Sequence, residues 1–188
     1  MKDNNVKIQN IETNQQERIE SLVKTDNYKY WLGGFIEGEG SLTISIVKNN
    51  KLRWGFALQP EFNVAQHISG LHILYSFKLL FDNLGSVHRK SGSENVWVYV
   101  LKGISNVKIQ ALPFYKKYVT PFSSKYKHEQ LENVKYIVDI LHNNARQSMD
   151  KDLFIKLLKL TYELNPEGKG KNRMRSLQDV INTVNSLK

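Results

Sequence analysis

The chain has 188 residues, with 27 Lys+Arg against 18 Asp+Glu, a formal net charge of +9 and no cysteine. That length suits one domain with an extension, and a content of 40% hydrophobic and 11% aromatic residues is enough for a core. Disulfides, thiolate metal sites and cysteine nucleophiles are excluded, while the basic balance leaves nucleic acid, a membrane surface or an acidic protein as partners.

Residues 1–27 are polar, carry no apolar run of the kind a secretory signal needs, and read either as a short helix around Glu12 to Lys24 or as a loose extension. No apolar run anywhere approaches the ~20 residues that cross a bilayer, so no membrane is expected as partner. The domain proper is expected over 28–188. Tyr28, Trp31, Leu32, Phe35 and Ile36 recur at helical spacing, and Gly38 and Gly40 end that helix. Ser41 to Lys48 alternates polar and apolar residues strictly, which predicts a half-buried strand. A turn over Lys48–Lys51 leads to a second strand from about Arg53 to Gln66, with Pro60 marking a bend or an edge. Residues 68–83 predict a helix with Ile68, Leu71, Leu74, Tyr75 and Phe81 inward, stopped by Gly85. A hairpin turning at Ser91–Glu94 follows, then a helix over 104–117. Three more helices are marked by Leu131, Val134, Ile137, Val138 and Leu141, by Leu153, Phe154, Leu157 and Leu158, and by Leu177, Val180, Ile181 and Val184. Helix, two strands, helix, two strands and helices make an α+β fold: an antiparallel sheet with helices packed on one face and a polar face left for water or a ligand.

The sharpest chemistry lies in Trp31-Leu32-Gly33-Gly34-Phe35-Ile36-Glu37-Gly38-Glu39-Gly40-Ser41. Each of two adjacent glycines in a helix costs ~1 kcal/mol relative to Ala. A helix that accepts this gains close approach to another backbone. Two carboxylates then stand at the helix C-terminus, the negative pole of its dipole, beside free carbonyls. A divalent cation would relieve that conflict, with carboxylate and carbonyl oxygens as ligands.

This segment resembles the LAGLIDADG motif of homing endonucleases. Leu32 stands at its leucine, Gly33 at its alanine, Gly34 at its glycine and Phe35–Ile36 at its apolar pair. Glu37 and Glu39 stand at its two acids, with Gly38 between them and Gly40 closing it. The resemblance extends over 28–188, because the αββαββα order and the C-terminal helices also match. It implies a saddle-shaped antiparallel sheet for DNA with helices behind.

A single motif implies a half-enzyme that dimerises through Leu32, Gly33, Gly34 and Ile36. In the homodimer, Glu39 and the carbonyl of Gly38 would bind Mg²⁺, with Mn²⁺ able to substitute, for phosphodiester hydrolysis that breaks both strands of a long pseudo-palindromic double-stranded DNA target. Glu37 is expected to support the structure rather than the metal. Gln66 matches a glutamine that orients solvent near the metal. Lys125, in Pro121–Tyr126, is the candidate for a catalytic lysine. His67 has either a surface role or that of a basic residue in some relatives.

DNA contacts are expected from Ser41, Thr43 and Ser45 on the first strand, and from Gln59, Glu61 and Asn63 on the second. His88 and Lys90 would add the third strand, and Asn95 and Trp97 the fourth. Lys51 and Arg53 would serve from the turn, and Lys169, Lys171 and Arg173 from a glycine- and lysine-rich loop. An intron RNA maturase or a non-cleaving DNA-binding relative would share the fold and the charge, so intron RNA is a second possible partner. Lys outnumbers Arg by 21 to 6 and Asn is abundant, the bias of AT-rich coding. That points to a mitochondrion or chloroplast, or to the cytoplasm of an AT-rich microbe.

Overall fold

A computed structural model describes residues 16–144, 149–164 and 175–187. A helical stretch over 16–22 buries Ile19 and Val23 and turns into α1, Asp26–Glu39. Thr25 caps α1 by accepting the Tyr28 N–H, and Gly40 follows directly as the first residue of β1, Gly40–Lys48. The helix therefore stops at Gly40 as expected, but not at Gly38. It runs through Gly38 and ends only after Glu39, where the Gly40 N–H closes on the Ile36 carbonyl.

β1 pairs antiparallel with β2, Phe56–His67, in an unbroken register from Gly40↔Val64 to Lys48↔Phe56. Pro60 does not bend the strand. It sits opposite Ile44 in regular pairing, and its carbonyl accepts the Gly103 N–H. A short turn at 68–70 leads to α2, Leu71–Leu80. Its inward face is Ile73, Leu74 and Phe77, with Phe81 beyond, whereas Ile68 and Tyr75 are exposed, contrary to the expected face. The helix stops at Leu80 because Asp82 and Asn83 take positive φ before Gly85 does.

β3, Ser86–Arg89, and β4, Val96–Lys102, form the expected hairpin, and the sheet order is β1-β2-β4-β3. Behind the sheet lie α3, residues 104–122, then α4, Lys125–Asn143, α5, Lys151–Glu163, and α6, Leu177–Ser186. α3 is longer than the sequence suggests and contains two wide turns, closed by Leu112 N–H to the Val107 carbonyl and by Thr120 N–H to the Tyr115 carbonyl. Pro113 explains the first: it has no N–H for the Ile109 carbonyl and its ring would strike that group, so the helix widens just ahead of it.

The core centres on Phe62, fully buried, which meets Phe77, Phe81, Tyr99 and Tyr115 edge-to-face at centroid distances of 5.6–6.1 Å. The Tyr99 hydroxyl donates to the Leu84 carbonyl at 2.9 Å, which ties α2's exit to β4. At the far end Trp54 is buried and donates its indole N–H to the Met149 carbonyl at 2.9 Å. No helix among the described residues is long and apolar enough to cross a membrane.

Candidate active site

α1 delivers the motif in two halves. Leu32, Gly33 and Ile36 are buried within their own subunit, and a Cβ at Gly33 would strike the Tyr118 carbonyl of α3. The close approach predicted from the glycine pair is therefore real, but at Gly33 it is made to this chain's own α3. Leu32, Gly33 and Ile36 are thus corrected: they cannot face a second subunit. The outward face is Trp31, Gly34, Phe35 and Gly38, at i, i+3, i+4 and i+7. Trp31 is half exposed, and Cβ atoms at Gly34 or Gly38 would meet nothing within 4 Å. Trp31 stacks between Tyr28 and Phe35 at 5.4 and 5.7 Å, so its ring is held flat along that face.

Glu37 and Glu39 diverge. Glu39 is exposed at the end of α1, where the last carbonyls, Gly38's among them, have no partner within the helix. Glu37 is half-buried, and its Oε2 is enclosed without a hydrogen-bond partner. Its charge is felt by two groups. The buried Tyr115 hydroxyl is pushed well above the ordinary tyrosine range, by burial first and by Glu37 second. The Lys127 ammonium is pushed below the ordinary lysine range by burial, with Glu37 opposing that shift.

Lys127 reaches the motif. Ser124 caps α4 by accepting the Lys127 N–H, which puts Lys127 in the first turn, and its Nζ donates to the Gly40 carbonyl at 3.2 Å. Lys125 does not reach it. Its side chain is 91% exposed and, among the described residues, pairs with Glu129, one turn along the same helix, at 3.7 Å. The lysine that reaches the motif's end is Lys127. The sequence signal that separates the two is helical phase: Lys127 lies four residues before buried Leu131 and seven before buried Val134.

The register Gly40↔Val64 sets the end of α1 beside the end of β2. Gln66 is there, on the row of Phe62 and Val64, opposite Trp97. Its Oε1 accepts the His67 N–H at 2.6 Å, and its Cγ lies where a Cβ on Gly70 would come within 2.6 Å. The Gln66 amide is thereby oriented, with its NH₂ left to donate.

The face of the sheet away from the helices follows from the pairing. Ser41, Thr43 and Ser45 stand opposite Asn63, Glu61 and Gln59, and His88 stands opposite Val98. Lys90 extends β3, its N–H donating to the Val96 carbonyl. Lys51 and Arg53 are exposed in the β1–β2 turn, with the Arg53 guanidinium 4.5 Å over the Trp54 ring. Trp97 is a correction: it shares the helix-side row with the buried Tyr99 and Leu101, packs on the core, and its indole N–H is enclosed. Residues 96–101 are all apolar, so alternation gave no phase there; Val96, Val98 and Val100 occupy the open face instead. Asn95 is exposed but precedes β4, and its carbonyl accepts the Ile68 N–H. Lys169, Lys171 and Arg173 lie outside the described residues.

One residue missed in the sequence completes this face. Lys102, opposite Glu61, meets its carboxylate at 3.1 Å, and Asn63 donates to the same carboxylate at 3.2 Å. The one acid among those β-strand positions is thereby neutralised, so the polar groups of this face are hydroxyls, amides and cations, suited to a polyanion.

A polar antiparallel sheet, a helix that ends in an exposed glutamate at its edge and a lysine behind that end define a class. Residues 32–135, more than half of the chain, match the family model described as LAGLIDADG endonuclease, and the chain belongs to that family. DNA endonuclease I-CeuI of Chlamydomonas moewusii is 34% identical over 134 residues, 71% of this chain, and this chain spans 61% of the length of that relative. The fold is similar to that of the group I intron-encoded homing endonuclease I-CeuI complexed with DNA, with a TM-score of 0.76 at 27% identity over 98% of this chain and 92% of that one. It is also similar to the archaeal intron-encoded homing endonuclease I-Vdi141I complexed with DNA, with a TM-score of 0.73 at 27% identity over 86% and 96% of the two chains.

Proposed function

We propose that this protein is an intron-encoded homing endonuclease that makes a double-strand break in a long pseudo-palindromic DNA site, acting as a homodimer with Mg²⁺. The observation that carries this reading is Glu39: an exposed carboxylate beside free carbonyls at the negative end of a helix, at the edge of a polar sheet face whose one acid is neutralised.

Those residues fit a hard divalent cation, which prefers carboxylate and carbonyl oxygens. Among the described residues no group of three or more His, Cys, Asp or Glu side chains gathers on this chain. One subunit thus offers one carboxylate with carbonyl neighbours, which suits a site completed by a second subunit and by DNA phosphate oxygens. Glu39 and the Gly38 carbonyl would hold the ion, which when bound supplies an activated water and charge neutralisation at the leaving oxygen.

The remaining roles fall to this chain's own side chains. Lys127 spends one of its three N–H donors on the Gly40 carbonyl, and the others are available to charge developing on the phosphoryl group. Gln66, its Oε1 occupied, presents its NH₂ to solvent or to a phosphate oxygen. Thr43, Ser45, Gln59 and Asn63 read base edges, and Lys51 and Arg53 grip phosphate. The dimer forms on Trp31, Gly34, Phe35 and Gly38, where two glycines let backbones approach and two aromatic rings supply apolar area.

The test is selection of cleaved sequences from a randomised duplex library by the full chain with Mg²⁺, repeated with EDTA and with Glu39→Gln. Cleavage at one site that needs both the metal and Glu39 is expected. Specific binding without cleavage in any divalent ion would replace this reading with that of a maturase or a DNA-binding relative.

A further inference from the structure

We infer that His67 is a DNA-contacting residue that grips a backbone phosphate flanking the cleaved one through its Nε2–H, as a neutral imidazole fixed in that tautomer by Ser69. The inference rests on the endonuclease reading above and assigns a role to a residue that reading leaves unused.

Two observations carry it. The first is position. His67 is the last residue of β2, opposite Val96, and shares the open face with Asn63 and Ala65. It is exposed, and it lies three residues beyond Val64, the partner of Gly40. At a strand rise of about 3.3 Å per residue this puts it about 10 Å along the sheet from the end of the motif. β1 has by then given way to α1, so this stretch of β2 lies beside the end of α1, where Glu39 is exposed.

The second is the ring's own bonding. Nδ1 accepts the Ser69 backbone N–H at 3.2 Å and lies 2.8 Å from the Ser69 hydroxyl. A backbone N–H can only donate, so the nitrogen facing it carries no proton. The proton of the neutral ring is then on Nε2, the nitrogen turned away from the turn. A ring held this way cannot accept a proton from water at Nε2 without first losing that N–H, so it is unsuited to act as a general base. It is suited to donate one directed hydrogen bond to an anionic oxygen. The same bond fixes the ring's direction, because the ring caps the start of the turn at 68–70.

The test separates the two nitrogens. His67→Asn places an oxygen near Nδ1, keeping the cap, and has nothing at Nε2. His67→Gln places an amide NH₂ near Nε2 and lacks the cap. With the duplex selected by the wild-type chain, Asn should weaken binding in Ca²⁺ by about ten- to a hundredfold while its melting temperature stays at the wild-type value. Gln should recover most of the affinity while melting earlier. A purely structural histidine would give the reverse, and that pattern overturns the proposal. The dependence of log affinity on log salt decides the ring's charge. A neutral donor releases no counterion, so Asn should leave the slope unchanged, whereas loss of a charged contact would lower it by about 0.9 and overturn the tautomer assignment. Absence of cleavage by the wild-type chain would count against the endonuclease reading; cleavage with wild-type affinity in the Asn variant would count against His67 alone.

Discussion

The two motif glycines should respond oppositely to the same change. Gly33→Ala puts a methyl onto the Tyr118 carbonyl, a backbone atom that cannot swing aside. Overpacking of this kind costs about 1–3 kcal/mol or more, against a gain of about 1 kcal/mol in helix propensity. Because α1 can relieve the clash only by leaving α3, the upper end of that range is expected, and α3 would lose its hold on Gly33. Gly34→Ala meets no atom of the described residues within 4 Å and should stabilise the isolated subunit by about 1 kcal/mol. If a second subunit docks there, the same methyl holds the two backbones apart. Urea unfolding at several protein concentrations, with sedimentation equilibrium beside it, reads both effects. Gly33→Ala should shift the unfolding midpoint downward at every concentration. Gly34→Ala should raise stability at low concentration and weaken self-association. A Gly34→Ala protein that associates as tightly as wild type would refute the assignment of the outward face, and a neutral Gly33→Ala would refute the close approach to α3.

Lys127→Met should lower single-turnover cleavage by about 10²–10³-fold with site affinity largely retained, whereas Lys125→Met should change the rate by less than about threefold, measured on the same duplex. Trp54→Phe leaves the Met149 carbonyl without its donor in a buried setting and should cost about 1–3 kcal/mol in thermal or urea unfolding. The Asp26 carboxyl is held below the ordinary carboxylate range by the Tyr118 hydroxyl at 2.7 Å and then by Lys117. A depressed carboxylate contributes stability that is complete above its unfolded value of about 3.9 and fades as pH falls through the lower folded value. The difference in stability between wild type and Asp26→Asn should therefore be constant near neutrality and shrink below about pH 4, as followed by circular dichroism.

Most of the architecture was legible because apolar periodicity carries it. Ser41–Lys48 alternates cleanly, so β1 and its open face could be read residue by residue, and Thr43 and Ser45 fall where the pattern puts them. β4 could not be phased: six successive apolar residues give no alternation, and Trp97 went to the core because its neighbours Tyr99 and Leu101 do. The glycine pair announced a close contact without its direction. Direction depends on α3, which passes Gly33 from about 85 residues further along the chain, with Tyr118 at the contact. The lysine that reaches the motif stands two positions from the one expected, for a related reason. Both lysines lie in one helical turn, and only the side on which Leu131 and Val134 are buried decides which of them returns to Gly40. His67 was visible as a residue type, but the cap that fixes its ring arises only once Ser69 folds back.

Trp54 sits under the β1–β2 turn that presents Lys51 and Arg53, and the chain's last described residue braces it. Lys151 lies 5.2 Å over the Trp54 ring while donating to the Leu187 carbonyl, and a Cβ on Gly55 would come within 3.1 Å of the Leu187 side chain. Leu187 is therefore a wedge beneath that turn. Removing α6 with Leu187 would act as an unintended substitution in the turn that carries Lys51 and Arg53. If that turn grips phosphate as proposed, DNA affinity measured on such material would change before anything altered at the motif.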